Sequence, residues 1–138
     1  MSIDNLIQIG MLFVAVMAII STQINEQKQR KFALYAEYTR RYQDLFLCMP
    51  DDVYNGSAKI DSRTIKYMRL YFDLCSEEYH LWKQNGISDK TWELWREGMQ
   101  IATNHDIYRR SWDAIKGEYS QEFWLYFERE VIIHKHQS

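Results

Sequence analysis

The first two dozen residues show no alternation of hydrophobic and polar positions. From Asn5 to Gln23 the chain reads NLIQIGMLFVAVMAIISTQ, and no charged residue occurs between Asp4 and Glu26. Those 21 uncharged positions span roughly 31 Å as a helix at about 1.5 Å per residue, close to the hydrocarbon thickness of a bilayer. A single crossing, in lipid from Leu6 to Ile24, is the expectation. The strongly apolar centre, Ile9 to Ile20, is short enough for a secretory signal to be weighed. The start, however, carries Asp4 and no Lys or Arg, and Ala15-Val16-Met17-Ala18 is not a small-x-small cleavage pattern. An interfacial helix would need a strongly charged face, which this stretch lacks.

Beyond Glu26 the pattern becomes helical. No Gly or Pro interrupts the chain from Met11 to Met49, so the apolar helix is expected to run on as one rod. Phe32, Tyr35, Thr39, Tyr42, Leu45 or Phe46, and Met49 recur every three or four positions and predict a buried stripe. Met49-Pro50-Asp51-Asp52 stops the rod, and residues 50 to 61, with Asn55-Gly56, read as the one sizeable loop. Asp61 or Ser62 caps a helix in which Ile65, Met68, Phe72, Cys75, Tyr79 and Trp82 face the core. Asn85-Gly86 ends that helix as a left-handed cap. Ser88 opens the next, with Trp92, Trp95, Met99 and Ala102 on one side. A short helix with Tyr108, Trp112 and Ile115 closes at Gly117, and Ser120 starts the last, lined by Phe123, Phe127 and Val131.

These elements predict an all-α fold. Residues 1–25 form a transmembrane anchor and residues 26–138 a small cytoplasmic bundle of about five helices. Five Gly and one Pro are few, and 15% aromatic content gives even a small core large side chains to bury.

Charge fixes the expected direction of the anchor. Lys28, Arg30 and Lys31 follow the span, with Arg40 and Arg41 further on, so the C-terminal part should lie in the cytoplasm and the N-terminus outside. After residue 25 the chain holds 17 cationic and 18 anionic side chains, a balance of −1, which argues against a polyanion binder, and no nucleic acid is expected as a partner. Within the span, Gln8 and the Gly10-Val14-Ala18 face offer groups that draw helices together in lipid, without a G-x-x-x-G motif. Cys48 and Cys75 sit in apolar helical patterns and read as buried thiols of a reducing compartment in preference to a disulfide.

No combination of residues commits to catalysis. Glu77-x-x-His80 has the spacing of half a di-iron site, but its only companion is Glu130-x-x-x-His134. His134-Lys135-His136 lacks supporting ligands, and His105-Asp106 near Ser111 has the residue types of a triad without its geometry. Phosphate loops and nucleophile elbows are absent. No catalytic residue, cofactor or metal is assigned. The one cluster singled out is arginine with aromatic residues: Tyr38, Arg40, Arg41, Arg69, Arg109 and Arg110, a candidate surface for a partner or a phosphorylated ligand.

Tyr38-x-x-Arg41-Tyr42 ahead of Met49-Pro50, then Tyr71-Phe72-Asp73-Leu74-Cys75-Ser76-Glu77-Glu78-Tyr79 and Trp92-x-x-Trp95-x-x-Gly98, resembles short bacterial membrane-anchored proteins grouped as a family of unknown function. The resemblance covers roughly residues 35 to 126. It implies a helical protein of the bacterial inner membrane and brings no activity. The expected function is a non-enzymatic, membrane-tethered interaction module or accessory subunit of a membrane complex, whose partner is another membrane protein or a second copy. The alternative is an anchored effector that senses a small phosphorylated ligand or nucleotide.

Overall fold

The computed structural model of the chain describes residues 1–132. The rod is there as expected: α1 runs unbroken from Ile3 to Cys48, 46 residues, or roughly 70 Å at about 1.5 Å per residue. Ser2 caps it by accepting the Asn5 amide, and the helix ends at Met49, extended ahead of Pro50 as a residue before proline prefers. A single turn, α2 (Asp51–Tyr54), follows. Then come α3 (Ser62–Lys83), α4 (Asp89–Ala102), α5 (Asp106–Ile115), a 3₁₀ turn at Lys116–Glu118, and α6 (Gln121–Phe127), whose end widens into a π turn, Glu128–Ile132. No strand occurs among the described residues.

The caps are chemical and local. Asp61 accepts the Thr64 amide, Ser88 that of Thr91 and Ser120 that of Phe123. At the end of α3, Asn85 adopts φ 59°. Its N–H reaches the Trp82 carbonyl at 3.0 Å while Gly86 N–H reaches that of Leu81 at 2.8 Å. These are the paired bonds of a Schellman cap. A Cβ on Gly86 would lie 3.2 Å from both the Leu81 side chain and its carbonyl oxygen, and 3.7 Å from Leu34 of α1. The bare glycine therefore lets the turn close against α1.

The centre of the bundle is α3, with α1, α4 and α5 packed around it. Phe72 is fully buried, its ring 5.0 Å from that of Trp112 on α5 and 5.8 Å from that of Phe127 on α6. Tyr79 and Trp82 meet Trp92 of α4 and Tyr126 of α6, and the Trp82 and Trp92 rings stack 5.0 Å apart. Trp82 is half-buried, its indole N–H donating to Asp89. Edge-to-face and stacked pairs of this kind dominate the core because a chain this short must bury much area with few side chains.

Several expectations need correction. The interval 50–61 is not simply a loop: α2 sits inside it, and Val53 is fully buried. The buried stripe of α1 is Leu34, Tyr38, Tyr42, Leu45, Phe46 and Met49, and Phe32 is 71% exposed. The first apolar residue of α1 to pack on the bundle is Leu34, and Phe32 points away from it. Cys75 is buried, but Cys48 is exposed, and both are free thiols. On α3 the buried surface is wider than one stripe and takes in Thr64, Tyr71 and Glu78. No residue from Met1 to Arg30 is buried or even half-buried. Thus α1 has two halves, one packed into the core and one largely exposed.

Truncation at the centre should be costly. Phe72→Ala removes a fully buried ring and should lower the unfolding free energy of the detergent-solubilised chain by about 3–5 kcal/mol. An unchanged denaturation midpoint would contradict the central place of α3.

Candidate functional site

Where α3 faces α1 and α5 the core is polar inside. Tyr71, Cys75 and Glu78 fall at spacings of four and three, on one face of α3. The Tyr42 hydroxyl lies 3.6 Å from Cys75 Sγ, and the Tyr71 ring packs 5.0 Å from that of Tyr108 on α5. Glu78 is fully buried, and neither carboxyl oxygen makes a hydrogen bond; Ser111 Oγ on α5 is likewise buried and unpaired. An ionised carboxylate there would forfeit its hydration without compensation. Burial accordingly pushes the Glu78 carboxyl up to about 8, with the charge of Glu77 adding to the shift and the Tyr42 hydroxyl opposing it.

The neighbouring groups are held neutral in the same way. Burial drives the Cys75 thiol far above its ordinary range, raises Tyr42 and Tyr71 well above theirs, and carries Tyr108 to about 12. Near neutral pH this column is a set of uncharged acids and hydroxyls. Its thiol is no nucleophile, because nucleophilicity needs the thiolate.

Two grooves flank the column. One, between α1 and α4, has a volume of about 230 Å³ and is lined by Tyr42, Phe46, Tyr71, Leu94, Trp95 and Met99 among others. The other lies between α1 and α3 and is larger, about 520 Å³, with Leu45, Cys48, Leu70 and Leu74 among its apolar lining and Arg40, Arg41, Asp44, Asp73 and Glu77 among its charged groups.

The arginine and aromatic residues singled out in the sequence do not converge. Tyr38 is 7% exposed, and its hydroxyl donates to Glu77 at 2.9 Å. Arg41 lies 4.9 Å over the Tyr38 ring and binds Glu37 and Glu77, while Arg40 binds Glu37 and Asp44. These two line the α1–α3 groove. Arg69 holds Glu118 through two hydrogen bonds, Arg109 donates to the Thr103 carbonyl, and Arg110 faces Asp106 at 3.6 Å. None of these three lines that groove.

The other candidates separate as well. Glu77 is committed to Tyr38 and Arg41, and His80 packs edge-on against Tyr79. His105 is exposed and begins α5, whereas Ser111 is sealed inside. His134 and His136 lie outside the described residues. Among the described residues, no three His, Cys, Asp or Glu side chains are grouped as metal ligands would be. Glu78 escaped sequence reading because it stands in Ser76-Glu77-Glu78-Tyr79, where two adjacent carboxylates read as solvated. The available signal was its place seven positions after Tyr71 and three after Cys75, on the same helical face.

No family model matches the chain, and neither a curated protein nor a solved structure matches it.

The buried acid has a pH signature. In the unfolded chain Glu78 ionises near the ordinary glutamate value of 4.5, in the folded chain near 8. Between those values the folded state holds a proton that the unfolded state has lost. Stability is therefore fully present below about pH 4.5 and falls as pH rises towards 8, by up to about 1.4 kcal/mol per unit. Glu78→Gln keeps the site neutral and should flatten that part of the profile. Parallel midpoint-against-pH curves for the two proteins would show that Glu78 titrates normally.

Proposed function

We propose that this chain is a non-enzymatic, membrane-tethered interaction module, with α1 crossing the bacterial inner membrane and the bundle lying in the cytoplasm. One observation carries the reading. Among the described residues α1 alone is long and apolar enough to span a membrane, and the apolar part lies wholly outside the protein core. Leu6, Ile9, Leu12, Phe13 and Ile19 are each more than half exposed. An apolar surface of that extent needs an apolar medium, and a helix satisfies its own backbone hydrogen bonds there. Lys28, Arg30 and Lys31 beyond its end support retention of the bundle on the cytoplasmic side.

Within the bundle, the α1–α3 groove is the surface best suited to a protein partner held at the same membrane. An apolar floor within a rim of charged groups is the anatomy of a protein interface. Tethering favours it, because confinement raises the effective concentration of two membrane-bound partners. The arginines support a protein in preference to a phosphorylated ligand: Arg40, Arg41, Arg69 and Arg110 already face carboxylates, and Arg109 a carbonyl. A phosphate would have to displace those partners.

Topology is checked with a membrane-impermeant thiol reagent on intact cells, in a Cys48→Ser background that removes the one exposed native thiol. A cysteine at Ser2 should label and one at the exposed Ala114 should stay protected; the opposite pattern would reverse the orientation. For the groove, Leu70→Asp places a charge on its floor at a position already 47% exposed. It should reduce co-purification of the partner from gently solubilised membranes at least tenfold while leaving the melting temperature within a few degrees. Recovery equal to wild type would exclude this groove as the contact surface.

A further inference from the structure

A third cleft, about 360 Å³, opens where α1 meets the α3–α4 turn, and is lined by Gln27, Arg30, Lys31, Leu34, Gln84, Asn85 and Gly86. Unlike the α1–α3 groove, it has no acidic residue in its lining. Lys31 has no carboxylate partner among the described residues, and Arg30 has only Glu26, 3.9 Å away with both side chains largely in solvent. Lys28 precedes the two cations, and Lys83 projects from the end of α3 over the Trp82 ring. The wall opposite α1 is fixed, because Asn85 and Gly86 are pinned by the two backbone bonds of the α3 cap. Three amides, Gln27, Gln84 and Asn85, add neutral donors and acceptors.

Position decides what such a cleft would meet. Ile24 is the last large apolar residue of the exposed half of α1, and Gln27 to Lys31 follow within about 5–10 Å along the helix. On the membrane-spanning reading, on which this inference rests, that is the depth of the phospholipid headgroups. The near end of the bundle carries Lys28, Arg30, Lys31, Lys83 and Lys90 against Glu26 and Asp89.

We propose that this cleft binds the headgroup of one anionic phospholipid of the cytoplasmic leaflet. Arg30 and Lys31 take the phosphodiester, and the Gln27, Gln84 and Asn85 amides take the polar group beyond it. Charge-assisted bonds from Arg and Lys suit a phosphodiester, and a preformed cleft adds selectivity to the general attraction of basic residues for anionic lipid. Bound there, the lipid would fix the tilt of the bundle against the bilayer.

The test uses the full chain in detergent and native mass spectrometry, with phosphatidylglycerol, phosphatidylcholine or inorganic phosphate added. Wild type should retain a single phosphatidylglycerol, at least about tenfold more than phosphatidylcholine, and millimolar phosphate should not displace it. The double variant Arg30→Glu/Lys31→Glu should lose that retention, as should Gln84→Glu, which brings a carboxylate from the opposite wall; these side chains lie outside the core, and circular dichroism confirms the fold. Arg110→Glu, distant from the cleft, should retain lipid like wild type. Equal retention of the two lipids, cleft variants that bind like wild type, or displacement by free phosphate would each overturn the headgroup site. Extraction of the chain by alkaline carbonate would remove the membrane reading and this inference together. A chain that resists extraction yet shows no lipid preference would remove this inference alone.

Discussion

The continuity of α1 constrains everything else, because one uninterrupted helix belongs to two environments. Backbone hydrogen bonding is satisfied along its whole length, so no loop decouples the exposed apolar half from the packed half. The phase of the helix at Ile24 therefore determines its phase at Leu34, where the bundle begins, and a rotation of one half must turn the other. Proline or glycine between them would relax that link, and neither occurs from Met11 to Met49.

The packed half depends in turn on α3, which contributes its wide face to three neighbours. Phe72 and Tyr79 look towards α5, α6 and the aromatic cluster, whereas Tyr71, Cys75 and Glu78 form the polar column beside α1. The column is costly, since an unpaired carboxyl inside a core loses solvation and returns nothing, and an apolar side chain of similar size would pack at least as well. Its presence means that the α1–α3 contact is not at its most stable and that its strength varies with proton concentration near neutrality. The seam most exposed to this effect forms one wall of the groove proposed for a partner.

Much of the architecture was legible in the sequence, and what was legible was local. Asp61, Ser88 and Ser120 cap their helices because a short side-chain oxygen can satisfy a free amide nearby. Asn85-Gly86 makes the left-handed turn because those residues tolerate it. What could not be read was decided by distant partners. Phe32 and Leu34 fit a helical stripe of α1 equally well, and only the position of the α3–α4 turn selects Leu34. Glu78 looks solvated until α1, with Tyr38 and Tyr42, closes over it. The arginine and aromatic cluster looked like a single surface because the residue types were right, but Arg41 and Arg69 are drawn to distant carboxylates, Glu77 and Glu118, while Arg40 and Arg110 pair within their own helices.

That matching gives the distribution of cations a meaning that composition alone hides. In the bundle proper, Arg40, Arg41, Arg63, Arg69, Arg96 and Lys116 each face a carboxylate, so their charge is cancelled within the protein. Exposed pairs of this kind contribute little to stability, but they leave the surface with little field of its own. At the other end Lys31 and Lys83 have no such partner among the described residues, and Arg30 has a distant one. Lys28, Arg30 and Lys31 thus place weakly compensated positive charge directly after the long apolar segment. On the proposed membrane-spanning reading the arrangement would match a bilayer in two respects at once, since hydrocarbon would take the uncharged half of α1 and anionic headgroups would neutralise the cations immediately beyond it.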